Sequence, residues 1–363
     1  MDDEEWWPPE AMAATAKQGF LGLTIPSRYG GAELDLLSAG LIAEEISYAN
    51  HQFAISHAAH DNLCANNIYL NGTEDQRQKY LPKLCNGEWL GALGMTEPGA
   101  GSDALGSMRT TAKKDGNHYV INGSKMFITN GPNADVLLIY AKTSPEKGAK
   151  GISAFIVERG TPGFSVAQKL DKMGYRGSQT GELVFEDCRI PSENLVGKED
   201  LGVAVMMSGL DLERVFVSTG STGIHMRALD LALEYSTQRE QFGKPIASFQ
   251  FIQGKLARMY TSLQASQTLM YSVLAELDSL PPGQGGRGEC HKRAAAVFLQ
   301  SAEACTAAVA DAVQIFGGYG YMRDTEINRL YRACKLNEIG GGSVEVRQMI
   351  IAGELLQEQM RKR

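Results

Sequence analysis

The chain has 363 residues, a formal net charge of −7 and 43% hydrophobic residues. A chain of this length exceeds one ordinary hydrophobic core, so we expect two or three domains in a soluble globular protein. The acidic charge disfavours nucleic acid as the main partner. No apolar run approaches the length of a membrane span, so we expect none.

The six cysteines and six histidines carry no metal-binding pattern, because no CxxC and no HxxxH spacing occurs. We therefore predict a reduced intracellular protein without a metal site. The first residues include Asp2, Asp3, Glu4 and Glu5, which are acidic where targeting peptides are basic. No targeting peptide is expected in this chain.

Residue patterns change twice along the chain. Up to about residue 90, apolar residues three and four apart predict helices at 11–17, 37–48 and 62–70, and Thr73 with Gln76 predicts a helix start. The next hundred residues contain short alternating runs typical of strands, at 118–121, 136–141, 152–157 and 183–185, with turns at 115–117 and 122–123. After residue 201 long helices are predicted, with breaks at 281–288 and 316–321.

The segment 95–103 reads MTEPGAGSD and directly follows an apolar run. Its Gly residues let the main chain approach a ligand, and its hydroxyl groups offer hydrogen bonds to an anionic or heteroaromatic group. By chemistry alone such a loop is more often only a connection. Four further motifs follow it in order, namely KMFITNG at 125–131, REQFGKPI at 239–246, DAVQIFGGYGY at 311–321 and IGGGS at 339–343.

Together the five motifs resemble those of the acyl-CoA dehydrogenase family of flavoproteins, over nearly the whole chain. The resemblance implies a mostly helical α+β fold: an N-terminal α domain (1–90), a β barrel (91–197) and a C-terminal four-helix bundle (198–363). Family members usually have one more helix before the position of residue 1. Either this protein lacks that helix or the gene start was placed late. A homotetramer, organised as a dimer of dimers, is implied.

The resemblance also implies FAD as cofactor. Phe127 stands where the family usually has Trp, and without the neighbouring motifs it would be interpreted as a core aromatic in a strand. Arg239, beside Glu240, would by itself be interpreted as part of a solvated helix face. The implied contacts within one subunit are Met95, Thr96, Gly101, Ser102, Phe127, Thr129, Ser343 and Glu345, and those reaching a neighbour's FAD are Arg239, Phe242, Gln314, Gly317 and Gly318.

Glu213 is the candidate catalytic base. It lies within a helical stripe of apolar side chains, where burial disfavours its charged form and raises its pKa towards neutrality. By chemistry alone, a half-buried Glu213 paired with an Arg such as Arg214 is the commoner arrangement. The stripe consists of Val203, Met206, Met207, Leu210 and Val217.

The resemblance favours the base. Most family members place the base where this chain has Gly341, whereas a branch that acts on isovaleryl-CoA places it in a GLDLER sequence, found here at 209–214. Glu213 is then implied to remove the pro-R α-proton, while the backbone N–H of Gly341 holds the thioester oxygen. The glycines at 340–342 are expected to leave room for a branched acyl chain.

Further positions are implied to contact the substrate: Ser102, Asp211, Arg214, Leu336 and Gly340. Two residues depart from the branch pattern, because Asn337 replaces a Tyr and Ala333 replaces an Asp. These two changes leave the substrate identity open.

The implied activity is FAD-dependent α,β-dehydrogenation of a short branched-chain acyl-CoA, with isovaleryl-CoA converted to 3-methylcrotonyl-CoA in leucine catabolism. Electrons would pass to electron-transferring flavoprotein. The location would be the mitochondrial matrix in a eukaryote and the cytoplasm in a bacterium. Alternatives are another short or 2-methyl-branched substrate, an oxidase that reduces oxygen, and a flavin-binding homologue without catalysis.

Overall fold

The computed structural model describes residues 1–281 and 287–362, which form helices around one central sheet. Thr73 and Gln76 form a reciprocal capping box at the start of the fifth helix, as predicted. The N-terminal helices are α1 (Pro9–Lys17), α2 (Leu36–Ala49), α3 (His51–Ala58), α4 (Asn66–Asn71) and α5 (Glu74–Cys85).

The third predicted helix differs from the expectation, because Ala59–Ala65 is π-helical and joins α3 to α4. Two consecutive buried side chains in this turn, His60 and Asp61, accept hydrogen bonds from different segments of the chain. The backbone N–H of Gly91 donates to His60 Nδ1 at 2.9 Å, and that of Leu23 donates to Asp61 Oδ2 at 3.1 Å. The wide turn directs both side chains inward, and π-turns of this kind occur often at functional sites.

The central sheet has eight strands. The strands are β1 (Gly91–Gly94), β2 (Thr111–Asp115), β3 (His118–Thr129), β4 (Val136–Lys142), β5 (Ile152–Glu158), β6 (Phe164–Lys169), β7 (Thr180–Pro191) and β8 (Leu195–Val196). The main path of the sheet runs β6-β7-β3-β2-β4-β5-β8, and β1 pairs in parallel with β4. Every residue of β4 except the last is buried, so this strand lies at the centre of the domain.

One predicted turn is wrong. The Asn-Gly pair at 122–123 does not end a strand but lies inside β3, where the register with β7 shifts. Gly123 has φ +146°, and an added Cβ would lie 2.5 Å from Thr110 Oγ1. The glycine therefore permits a β-bulge and a close approach to Thr110. The turn at 115–117 is present and joins β2 to β3.

The C-terminal part is a bundle of long helices. The short hairpin of β9 (Glu240–Gln241) and β10 (Lys244–Pro245) follows the first of them. Part of the predicted break at 281–288 lies outside the described residues. The helices are α6 (Gly202–Gln238), α7 (Gln250–Asp278), α8 (Gly288–Phe316), α9 (Gly318–Tyr321), α10 (Glu326–Cys334), α11 (Leu336–Ile339) and α12 (Val344–Arg361).

Helix α8 is the centre of this bundle and packs against α6, α7 and α12. By length and composition it is also apolar enough to cross a membrane, with half of its most apolar window buried inside the protein. Its apolar character is accounted for by its neighbours, as is usual for the core helix of a bundle.

The N-terminal helices, the sheet and α6 meet in one apolar cluster. It includes Cys64 from the π-turn, Tyr140 from β4 and Met206 from α6. Met95, the first residue after β1, packs against the same cluster. This junction brings the start of the 95–103 motif and the start of α6 to the same region.

Candidate active site

A buried ion pair fixes the loop between β1 and β2. Lys125 Nζ lies 2.9 Å from Glu97 Oε1, and both side chains are buried. The Glu97 carboxylate also accepts hydrogen bonds from the backbone N–H groups of Arg109, at 2.6 Å, and Thr110, at 3.0 Å. Burial opposes ionisation of Glu97, but Lys125 and these donors outweigh it and lower its pKa. The pair is not apparent in the sequence, because its partners are far apart in the chain.

The tip of this loop is open. An added Cβ at Gly99 or Gly101 would meet no atom within 4 Å, and Ser102 is exposed. The carbonyl of Thr96 accepts a hydrogen bond from the backbone N–H of Met126 at 2.8 Å, which places the loop beside β3. Packing within the chain therefore does not explain the glycines, and the open backbone fits a bound cofactor.

Phe127 lies on β3 next to this loop. Its side chain is 66% exposed, so the alternative of a core aromatic is wrong. Its backbone has φ +62°, a left-handed conformation that costs about 1 kcal/mol or more for a residue other than glycine. Thr129, two residues later, is half-buried. An exposed, strained aromatic beside an open glycine loop is suited to stacking on a planar cofactor.

A groove of about 760 Å³ lies where the β9–β10 hairpin meets the ends of α6 and α8. Four of the predicted cross-subunit residues line it together: Arg239, Phe242, Gly317 and Gly318. Phe242 is 93% exposed, and its neighbours in the groove are mostly apolar, several of them aromatic. The structure thus brings two distant motifs together on an exposed apolar surface, which is typical of a site covered by another molecule.

The other predicted cofactor residues lie in or beside the terminal turns of helices. Gln314 is exposed near the end of α8, shortly before Gly317. Ser343 is the residue before α12, and Glu345 is exposed in its first turn. A hydrogen bond from Ser343 lowers the pKa of Glu345. The cofactor contacts of these three residues stay predictions.

Glu213 lies on α6 on the same face as Met206 and Gly209, because the three positions are separated by three and four residues. The side chain is half-buried, and burial raises its pKa to about 7 although Arg214 lowers it. Within residues 1–281 and 287–362 no hydrogen bond or ion pair reaches its carboxylate. Burial, and to a smaller extent the charge of Glu213, raises the pKa of Tyr140, whose hydroxyl has no hydrogen-bond partner among the described residues.

Arg214 does not pair with Glu213, so the alternative of a simple ion pair is wrong. Its Nη1 lies 3.2 Å from Asp211 Oδ1, and the same oxygen lies 2.6 Å from His291 Nδ1 on α8. All three side chains are buried. Asp211 and Arg214 thus form polar contacts that connect α6 to α8. This structural role does not favour the predicted contact with the substrate. Their contact with substrate stays a prediction.

The glycine turn at 340–342 separates α11 from α12. Gly341 has φ +64°, and an added Cβ would lie 2.9 Å from Phe298 Cε1. The expectation that this glycine leaves room for substrate is therefore incomplete, because Phe298 already occupies the side where a side chain would start. Gly340 has only ordinary contacts with Leu336. The glycine at 341 is required by backbone conformation and by packing.

Asn337, which departs from the branch pattern, is buried on α11. Its Oδ1 accepts a hydrogen bond from the hydroxyl of Tyr175 at 3.0 Å, whereas its Nδ2 has no partner among the described residues. Tyr175 itself has φ +52° and is buried. Leu336, the neighbouring predicted substrate residue, is half-buried against the apolar cluster of the C-terminal bundle. Asn337 therefore has a buried amide nitrogen without a hydrogen-bond partner among the described residues.

Comparison with known proteins places the whole chain in one family. Models of the N-terminal, middle and C-terminal domains of acyl-CoA dehydrogenase match residues 1–88, 92–188 and 200–356. Mitochondrial isovaleryl-CoA dehydrogenase from Solanum tuberosum is 51% identical, over 93% of this chain and 80% of that protein. Mitochondrial 2-methylacyl-CoA dehydrogenase from the same plant is 47% identical over the same shares.

Solved structures agree with these matches. Butyryl-CoA dehydrogenase from Megasphaera elsdenii superposes with a TM-score of 0.92 and 40% identity, covering 98% of this chain and 92% of that one. An acyl-CoA dehydrogenase from Bacillus anthracis solved with FAD is 37% identical, with a TM-score of 0.90, over 98% of this chain and 62% of that one. The predicted fold is confirmed. The chain therefore belongs to the acyl-CoA dehydrogenase family and is an oxidoreductase that uses FAD.

Proposed function

We propose that this acyl-CoA dehydrogenase oxidises the Cα–Cβ bond of a short branched-chain acyl-CoA, with isovaleryl-CoA as the first candidate and 3-methylcrotonyl-CoA as its product. Electrons then pass to electron-transferring flavoprotein. The observation that carries the proposal is Glu213, a carboxylate on an apolar helix face with a pKa of about 7 and no protein partner among the described residues. A base poised near the working pH transfers protons efficiently.

In the proposed mechanism the ionised Glu213 removes the proton from Cα. Negative charge then develops on the thioester oxygen, and the backbone N–H of Gly341 donates a hydrogen bond to it. Fixed donors of this kind contribute about 3 kcal/mol each in acyl-transfer enzymes. Bound FAD supplies the acceptor for the hydride that leaves Cβ.

The cofactor site is proposed to be shared between subunits. The open loop at 95–102, with Phe127 and Thr129, would hold the flavin and its nearer phosphates. Arg239 of a second copy would pair with the pyrophosphate, since a guanidinium can bind two phosphate oxygens at once. The exposed aromatic groove around Phe242 supports this arrangement, and a homotetramer is part of the proposal.

A second candidate substrate is a 2-methyl-branched acyl-CoA, favoured by the 47% identity to a 2-methylacyl-CoA dehydrogenase. The Nδ2 of Asn337, which has no partner among the described residues, also favours a substrate other than isovaleryl-CoA. A buried unpaired amide costs about 1 to 3 kcal/mol, which is enough to change substrate preference. The relatives include mitochondrial and bacterial proteins, so a mitochondrial or cytoplasmic location is proposed according to the source.

A substrate panel tests this proposal. Purified protein with FAD is assayed for kcat/KM on isovaleryl-, 2-methylbutyryl-, isobutyryl-, butyryl- and octanoyl-CoA with an artificial electron acceptor and with electron-transferring flavoprotein. We expect a branched C4 or C5 thioester to be preferred over octanoyl-CoA by tenfold or more, the discrimination that about 1.4 kcal/mol gives. Octanoyl-CoA as the best substrate would contradict the branched-chain proposal.

A further inference from the structure

Arg347, on the first turn of α12, is a buried cation held by carbonyl groups. The side chain has 0% exposure. Its Nη2 donates hydrogen bonds to the carbonyl oxygens of Asn337, at 2.7 Å, and Gly340, at 2.8 Å. No carboxylate lies within ion-pair distance of it in the part of the chain that the structure describes. Because burial of an unpaired charge is costly, this position requires a gain elsewhere.

The aromatic ring of Phe298 connects this cation to the glycine turn. The Arg347 guanidinium carbon lies 3.3 Å from the centre of the ring. The edge of the same ring would be 2.9 Å from a Cβ on Gly341. Arg347 and Phe298 therefore both restrain the turn, Arg347 by hydrogen bonds and Phe298 by packing.

One peptide unit joins the two glycines of interest. Its carbonyl belongs to Gly340 and is bonded to Arg347, and its N–H belongs to Gly341. Because a trans peptide is planar, its C=O and N–H point in opposite directions. Fixing the carbonyl of Gly340 on Arg347 thus fixes the direction in which the Gly341 N–H points.

We infer that Arg347 is a positioning residue that holds the Gly340–Gly341 peptide so that its N–H faces the thioester oxygen. Its charge also polarises the peptide, which makes that N–H a stronger donor. This inference rests on the proposed function. Burial and the nearby Arg214 lower the pKa of Arg347 to about 10, so the cation persists at neutral pH.

The gain from Arg347 should be largest in the transition state. The thioester oxygen becomes more negative as the α-proton leaves, so a stronger donor stabilises the transition state more than bound substrate. Loss of Arg347 should therefore lower kcat more than it raises KM. Misplacement of such a group by about 1 Å can cost roughly a hundredfold in rate.

The experiment compares the FAD-loaded wild-type protein with Arg347→Met, which removes the charge, and Arg347→Lys, which keeps it without the planar fork. Arg323→Met, at an exposed position, serves as control. The probe is acetoacetyl-CoA, whose α-proton ionises and whose bound enolate is followed by absorbance against pH. We expect Arg347→Met to raise the apparent pKa of the bound probe by at least one unit and to lower kcat roughly tenfold to a hundredfold. Arg347→Lys should be intermediate.

The readout separates a positioning role from simple stabilisation, because a destabilised protein would lose FAD without changing the ionisation of bound probe. If Arg347→Met does not fold, Arg347→Lys decides, and wild-type kcat and probe pKa in that variant overturn the inference. If the wild-type protein ionises the bound probe and both variants ionise it equally well, only the role of Arg347 is contradicted. A wild-type protein that neither ionises the probe nor oxidises any acyl-CoA contradicts the proposed function as well.

Discussion

The two ends of the proposed site are built in opposite ways. At the end with Glu213 and Gly341, the buried side chains of Arg214 and Arg347 are hydrogen-bonded within the chain. Around Arg239 and Phe242 the surface is largely apolar and exposed. In the proposed function, the first end would fix atoms for the reaction, whereas the second would be completed by a second copy of the chain. Chemistry and cofactor retention should therefore respond to different mutations.

The largest effect on stability is expected where a buried charge loses its partner. Lys125→Met leaves Glu97 buried without its counter-ion in the loop between β1 and β2. We expect the free energy of unfolding to fall by about 3 to 5 kcal/mol, measured by urea denaturation at fixed protein and FAD concentrations.

The matched control is the exposed pair of Asp115 and Arg189, which the structure shows at the sheet surface. Arg189→Gln should change the free energy of unfolding by no more than about 1 kcal/mol. Equal effects in the two variants would mean that the buried pair does not hold the loop.

Mutations around Arg239 and Phe242 should cause FAD to dissociate. Arg239→Ala removes the proposed cross-subunit contact with the pyrophosphate, so FAD binding should weaken by about 1.5 to 3 kcal/mol and depend on protein concentration. Bound FAD is measured by absorbance after serial dilution, with Arg189→Ala as control. A wild-type monomer that keeps stoichiometric FAD at high dilution would show that one copy completes the site alone.

The smallest effect separates the two ends by pH. Burial raises the pKa of Glu213 to about 7, and only its ionised form is a base. Activity should therefore reach a plateau above about pH 7 and fall by up to tenfold for each unit below it. FAD retention should stay constant over the same range, because guanidinium groups remain charged. If FAD retention fell with activity below pH 7, the two ends of the site would not act independently, which would contradict the comparison.

Local patterns were sufficient for much of the fold. The capping box at Thr73 depends on residues three apart, and the apolar stripe around Glu213 depends on one helix, so both were visible in the sequence. The bulge at Gly123 was not, because an Asn-Gly pair has the same appearance in a turn and in a bulge. Its close contact with Thr110 decides between them.

The site was predicted less completely, for a similar reason. Glu97 and Lys125 pair across separate strands, and Arg347 is buried although a long cation on a helix is usually interpreted as exposed. Phe127 is the opposite case, since the strand pattern alone favours a core residue, whereas the side chain lies at the surface. Each depends on contacts between elements that no local pattern records.

The central claim is that Glu213 removes the α-proton, and one measurement tests it directly. Wild-type protein and Glu213→Gln, each loaded with FAD, are mixed with isovaleryl-CoA without oxygen, and the loss of flavin absorbance is followed in time. We expect the variant to retain FAD and to bleach about 10² to 10⁴ times more slowly than wild type, the usual contribution of a positioned base. Bleaching of the variant at a near wild-type rate would place the base on another residue and contradict the account.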